Sequence, residues 1–113
     1  MFDLEFYALP NGEKPVRIFL DSLNKKMRTK AVASLDILAQ NGNTIREPYS
    51  KPLGKGLFEL RIKFASDITR IFYFFYVDNK IVLTNGFVKK TQKTPPNEIA
   101  LAMKYKSEYE RRK

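Results

Sequence analysis

Alternation of apolar and polar residues is strictest between residues 57 and 64. Phe58, Leu60, Ile62 and Phe64 point one way, and Glu59, Arg61 and Lys63 the other. That is the two-residue period of a β-strand with one buried face. Residues 68–77 are almost wholly apolar β-branched or aromatic residues, interrupted by the polar Thr69 and Arg70, which predicts a central strand covered on both faces. Val77-Asp78-Asn79-Lys80 reads as a two-residue turn, since Asp and Asn tolerate the positive φ of tight hairpins. Residues 81–90 return as a further strand ending in Lys89-Lys90. The basic residues of this hairpin stretch sit inside strands as well as in loops. A charge on a sheet face costs desolvation unless it is compensated, so an anion is the expected ligand of that face.

The flanks are simpler. Phe2, Leu4, Phe6 and Ala8 alternate against Asp3, Glu5 and Tyr7, predicting a short strand, and Leu9-Pro10-Asn11-Gly12 turns the chain. Val16, Phe19, Leu20 and Leu23 fall at i, i+3, i+4 and i+7 of a first helix that starts near Glu13 and Pro15. A second helix covers about residues 25–40, capped by Asn24 and stopped by Asn41-Gly42. Its cluster of Lys25, Lys26, Arg28 and Lys30 reads as a solvated face. Residues 44–56, with Pro48, Pro52, Gly54 and Gly56, read as a connecting loop that brings Lys51 and Lys55 near the strand of Arg61. A linker over residues 91–97 leads to a last helix ending near residue 110, with Ile99, Met103, Tyr105 and Tyr109 at helical spacing. The expected order is β-α-α-β-β-β-α, an α+β fold in one domain over residues 1–113. Its mainly antiparallel sheet would carry the helices packed on one face and leave the charged face open.

Composition narrows the partner. Twenty-one Lys and Arg against twelve Asp and Glu give a net charge of +9, which points to a polyanion. Histidine and cysteine are both absent. Disulfides, thiol catalysis and His-based zinc sites are thereby excluded, and acid–base work falls to Lys, Arg, Tyr, Asp or Glu. No apolar run reaches the roughly eighteen residues of a membrane span. The N-terminus carries acids where a signal peptide has basic residues, so a cytoplasmic protein is expected.

The candidate chemistry gathers on the hairpin. A tight connection at Ala65-Ser66-Asp67 would place residues 61–63 opposite residues 69–71, making Arg61 and Arg70 cross-strand neighbours. Two guanidiniums there repel unless a phosphate or a carboxylate bridges them. Two readings stand side by side: a phosphate site, or structural ion pairs such as Arg61–Glu59 and Arg70–Asp67. Phe87, Lys89, Lys90 and Lys93 interleave an aromatic ring with cations, as single-stranded nucleic acid requires, although a Phe in a strand is more often core. No metal-ligand cluster, P-loop, nucleophile elbow or dinucleotide loop is present, so no cofactor and no metal is expected.

Three segments, LFELRI at 57–62, TRIF at 69–72 and GFVKKTQKTP at 86–95, together with the element order, resemble the RelE/ParE superfamily toxins. Within it the chain is similar to the phage-derived HigB-like branch. The resemblance implies the toxin of a type II toxin–antitoxin pair, a ribosome-dependent mRNA endoribonuclease (an mRNA interferase) that blocks translation without a metal. It implies Arg61, Arg70 and Lys89 as catalytic residues, the arginines on the phosphate and a lysine in proton transfer. It also implies Lys51, Lys55, Lys63, Phe87, Lys90 and Lys93 as RNA-binding residues. The implied partners are a HigA-like helix-turn-helix antitoxin, the ribosome and mRNA, with no membrane. Some relatives use a His near the C-terminus and this chain has none, which leaves the general base open. The alternatives are a ParE-like gyrase inhibitor, or a nucleic-acid-binding module without catalysis.

Overall fold

A computed structural model describes residues 1–89 and 93–113, Lys89 by its main chain only. The elements are β1 (Asp3–Phe6), α1 (Pro15–Ser22), α2 (Lys25–Asn41), β2 (Ser50–Gly54), β3 (Leu57–Phe64), β4 (Asp67–Tyr76), β5 (Lys80–Lys89) and α3 (Pro96–Arg112). The strands form one sheet in the order β1-β5-β4-β3-β2, with β1 parallel to β5 and every other pair antiparallel. The α+β class expected from the sequence stands.

Two of its details change. First, the stretch read as a connecting loop contains β2. Pro52 breaks strand patterns, yet it is tolerated at a sheet edge, where its missing N–H faces away from the ladder. Lys55 and Gly56 both take positive φ, 55° and 82°, which lets a two-residue turn join Gly54 to Leu57. Second, the helices do not share one face. Val16, Leu20, Met27, Ala31 and Leu38 of α1 and α2 pack on Leu60, Ile62, Ile71, Tyr73 and Leu83. The alternate strand residues Leu57, Phe72, Phe74 and Val82 pack on Ala102 and Tyr109 of α3. β4 is apolar on both sides, and each fully buried large apolar side chain contributes about 1.5–3 kcal/mol. A helix on each face is therefore favoured.

The hairpins set the register. β3 and β4 join through Ala65-Ser66, with Phe64 opposite Asp67. At the β4–β5 turn Asp78 and Asn79 adopt the expected positive φ, 64° and 59°. Pairing there begins at Tyr76 and Lys80, one residue further out than the two-residue turn expected. Between Ile71 and Tyr73 the register with β5 shifts, a bulge that ends at Gly86. There Phe19 of α1 presses against the strand. A Cβ on Gly86 would lie 2.7 Å from Phe19 Cδ2 and 2.9 Å from the Arg70 carbonyl oxygen.

α3 is tied to β1 by phenols. Tyr109 Oη donates to Glu5 Oε1 at 2.8 Å. Tyr7 Oη donates to Glu108, and Arg112 donates to both Glu108 and the Ala8 carbonyl. Burial first, and then the bond to Glu108, push the Tyr7 phenol up to about 12.

Gly86→Ala is expected to destabilise the fold by about 1–3 kcal/mol through overpacking; an unchanged urea midpoint would contradict the close approach of Phe19. The folded state holds the Tyr7 proton more tightly than the unfolded chain, whose phenol sits near 10.0. That contribution is complete below pH 10 and is lost as pH rises toward 12. Urea midpoints should fall across this window, and less steeply in Tyr7→Phe.

Candidate nucleic-acid interface

Strand alternation places Glu59, Arg61 and Lys63 on one face of β3, and Ile68, Arg70 and Phe72 on the same face of β4. The register then builds rungs across the sheet: Lys51, Glu59 and Phe72 in one, and Arg61, Arg70 and Phe87 in the next. Lys63 pairs with Ile68, and Ile68 with the main chain of Lys89. The Arg61 amide donates to the Tyr49 carbonyl at 2.8 Å, on the side away from β4. Arg61 and Arg70 thus form the type of antiparallel pair that exchanges no main-chain hydrogen bonds and brings side chains closest.

Two guanidiniums so placed repel each other, and Glu59 sits between them. Its Oε2 lies 3.0 Å from Arg61 Nε and 3.4 Å from Arg70 Nε. Thr94 closes the ring: its hydroxyl accepts from Arg70 Nη1 at 2.7 Å and donates to Glu59 Oε1 at 2.6 Å. Of the two readings kept open by the sequence, the Arg61–Glu59 ion pair is present, and Arg70 joins the same carboxylate. Two guanidiniums and one carboxylate leave a surplus of one positive charge.

Exposure separates the two arginines. Arg70 and Glu59 are fully buried, whereas the Arg61 side chain keeps 19% of its surface in solvent. Burial lowers the Arg70 pKa, with Glu59 opposing the shift and Arg61 adding to it. The Phe87 ring centroid lies 5.8 Å from the Arg70 guanidinium carbon and 5.8 Å from the Phe72 ring. Phe87 also packs against the cluster of Leu57, Phe72 and Ala102. The charged face expected to be open is therefore covered at Arg70 by Thr94 and Phe87, and α3 packs beside them on Leu57 and Phe72. An ion-paired arginine and its carboxylate are compatible with an apolar helix above them, which the strand pattern alone does not reveal.

The other candidates are spread along the sheet. Lys51 and Lys63 are exposed, each one rung from the Arg61–Arg70 pair on opposite sides. Lys55 lies in the β2–β3 turn, beyond Leu57, which is itself roughly 13 Å from the Arg61 rung at about 3.3 Å per residue. Lys93 is exposed next to Thr94. Lys89 is placed by its main chain, and Lys90 lies outside the described residues. Sequence reasoning missed Thr94, because a linker threonine carries no signal for a partner that lies 35 residues away in the chain. It also missed Tyr49, a ring 67% exposed beside Arg61.

A protein-family model, described as phage-derived Gp49-like protein (DUF891), matches residues 18–107. The chain belongs to the Gp49-like family. Gp49-like proteins are RelE-type, toxin-like proteins. The matched stretch contains every candidate residue named above. No curated protein matches the chain. Among the described residues, no helix of this Gp49-like protein is long and apolar enough to cross a membrane.

Glu59→Gln removes the charge shared by both guanidiniums. It is expected to cost about 3–5 kcal/mol, the penalty for leaving a buried ion without its partner. Arg61→Gln should cost less, because Arg61 is partly hydrated. Denaturant unfolding of both variants checks this, and equal losses would mean that Glu59 is not the hub.

Proposed function

We propose that this Gp49-like protein is the toxin of a type II toxin–antitoxin pair, of the HigB-like branch, and that it cleaves mRNA on the ribosome. The observation that carries the reading is the Arg61–Glu59–Arg70 cluster: a surplus positive charge on a rigid strand pair, with one guanidinium at the surface. In the proposed reaction the ribose 2′-oxygen attacks the adjacent phosphorus and the bond to the 5′-oxygen breaks. The products are a 2′,3′-cyclic phosphate and a 5′-hydroxyl. The nucleophile is already part of the substrate, so alignment supplies much of the rate. The five-coordinate phosphorane gains negative charge, and a fixed donor aimed at that charge is the largest catalytic contribution a protein makes to such a step.

In this scheme Arg61 meets the phosphate. Arg70 acts through Glu59 as a positioning residue, holding the carboxylate that aims the Arg61 guanidinium. Lys89 is the proposed proton-transfer group, supported by its register one rung beyond Arg70 and Phe87. Lys51, Lys63 and Lys93 would hold the RNA backbone beside Arg61, Lys55 and Lys90 would extend that footprint, and Phe87 would support Arg70. A HigA-like antitoxin would be the partner, and the cytoplasm, where ribosomes and messages meet, the site of action.

Programmed ribosomes carrying a defined message test the proposal, with 5′ ends mapped by primer extension in the presence of EDTA. Arg61→Ala should lower cleavage by about 100-fold or more, as removal of one oxyanion donor does, with little change in thermal stability. Arg70→Lys keeps the charge without the planar fork, and should lower turnover more than RNA binding. A protein that arrests growth but leaves the message intact would overturn the nuclease and favour a gyrase target.

A further inference from the structure

We propose that the groove between α2 and the β2–β3 edge is a nucleobase-binding subsite for single-stranded RNA, with Tyr49 as its stacking plate. The inference rests on the RNA-directed reading above and names where the base next to the reacting phosphate goes. Two adjoining cavities, of about 510 Å³ and 500 Å³, share Ser34, Ile37, Tyr49 and Arg61 as walls. Together they make one trough between α2 and the edge of β3. Ile37 is 54% exposed and Tyr49 67%, so two large apolar groups stand unpartnered along one depression, a pattern that marks a binding surface.

Charge selects the occupant. Arg46 and Arg61 line one end, and Lys30, Arg61 and Lys63 the other, with no carboxylate among the lining residues of either cavity. Lys30, a wall of the second cavity, holds its Nζ 6.0 Å from the centroid of a second ring, Phe64. Cations interleaved with exposed rings suit a single-stranded polyanion whose bases stack one by one. An acidic protein helix would satisfy the cations, but it has no need of a flat ring at the rim. Ser34, Asn41 and Thr44 add hydrogen-bonding groups within the same walls.

Tyr49 is also held in place. Its carbonyl accepts from the Arg61 amide at 2.8 Å, and its amide donates to the Arg46 carbonyl at 3.0 Å. The ring thus projects from a main chain fixed to the residue that would hold the phosphate. Arg61 lines the same two cavities as Tyr49, so in this proposal a phosphate at Arg61 adjoins a base on Tyr49.

The test is fluorescence anisotropy with a labelled six-nucleotide adenylate RNA and with an abasic ribose-phosphate oligomer of the same length, in low salt. Stacking is worth about 1–3 kcal/mol per base. Tyr49→Ala should therefore weaken adenylate binding about 5-fold to 150-fold while leaving the abasic oligomer unaffected, and Tyr49→Phe should retain wild-type affinity. Equal affinity of wild-type protein for the two oligomers, or equal losses in Tyr49→Ala, would overturn the base subsite while leaving the nuclease reading intact. Absence of binding to either oligomer, together with uncut message on ribosomes, would remove both. A dimer seen by sedimentation that Tyr49→Ala dissolves would give the groove to a second copy instead.

Discussion

The buried carboxylate of Glu59 is the constraint on which this end of the sheet depends. Cross-strand register forces Arg61 and Arg70 side by side, and at an effective dielectric of about 20 two such charges 4 Å apart oppose each other by about 4 kcal/mol. Glu59 lies one rung away on the same face and reaches both guanidiniums. Thr94 then satisfies its second oxygen and a nitrogen of Arg70 at once. A buried ion pair of this kind is weak evidence for net stability, because desolvation consumes much of its attraction. Its clearer consequence is directional: the guanidinium that reaches solvent is held by a partner that cannot move.

That arrangement joins the fold to the proposed chemistry. A flexible surface arginine would lose side-chain entropy on meeting a phosphate, whereas one already bonded to a buried carboxylate has lost much of it beforehand. The carboxylate leaves one unit of positive charge in the cluster, placed at the boundary between a covered face and an exposed edge. Proteins of the Gp49-like, RelE-type group are toxin-like, and a fixed charge on a rigid strand pair suits the proposed reaction, in which the substrate would carry its own nucleophile.

α3 takes part in the same design. Its first turn follows directly from Thr94 and Pro95, and its body covers Leu57 and Phe72. Its last turns are bound to β1 through the Tyr109 phenol and to the residue just after β1 through the Tyr7 phenol. The helix therefore connects the cover over Arg70 with the far edge of the sheet, and links the two chain ends in one hydrogen-bonded network.

The hydrophobic pattern by itself determined the central hairpins, the two N-terminal helices, the final helix and the α+β class. Those depend on local periodicity: alternation in β3, an apolar run in β4, and i, i+3, i+4 spacing in α1. The cross-strand pairing of Arg61 with Arg70 was also readable, because a two-residue connection fixes the register of both strands. Tertiary structure decided the rest. β2 escaped because Pro52 and the glycines that follow it, Gly54 and Gly56, oppose strand formation locally, and only the neighbouring edge of β3 makes a strand favourable there. The side of the sheet taken by α3 followed from apolar surface on both faces of β4, a choice made by packing and not by helical spacing. The burial of Arg70 was likewise invisible: a charge in a strand reads as exposed until the carboxylate and hydroxyl that compensate it are brought in from Glu59 and from Thr94, far along the chain.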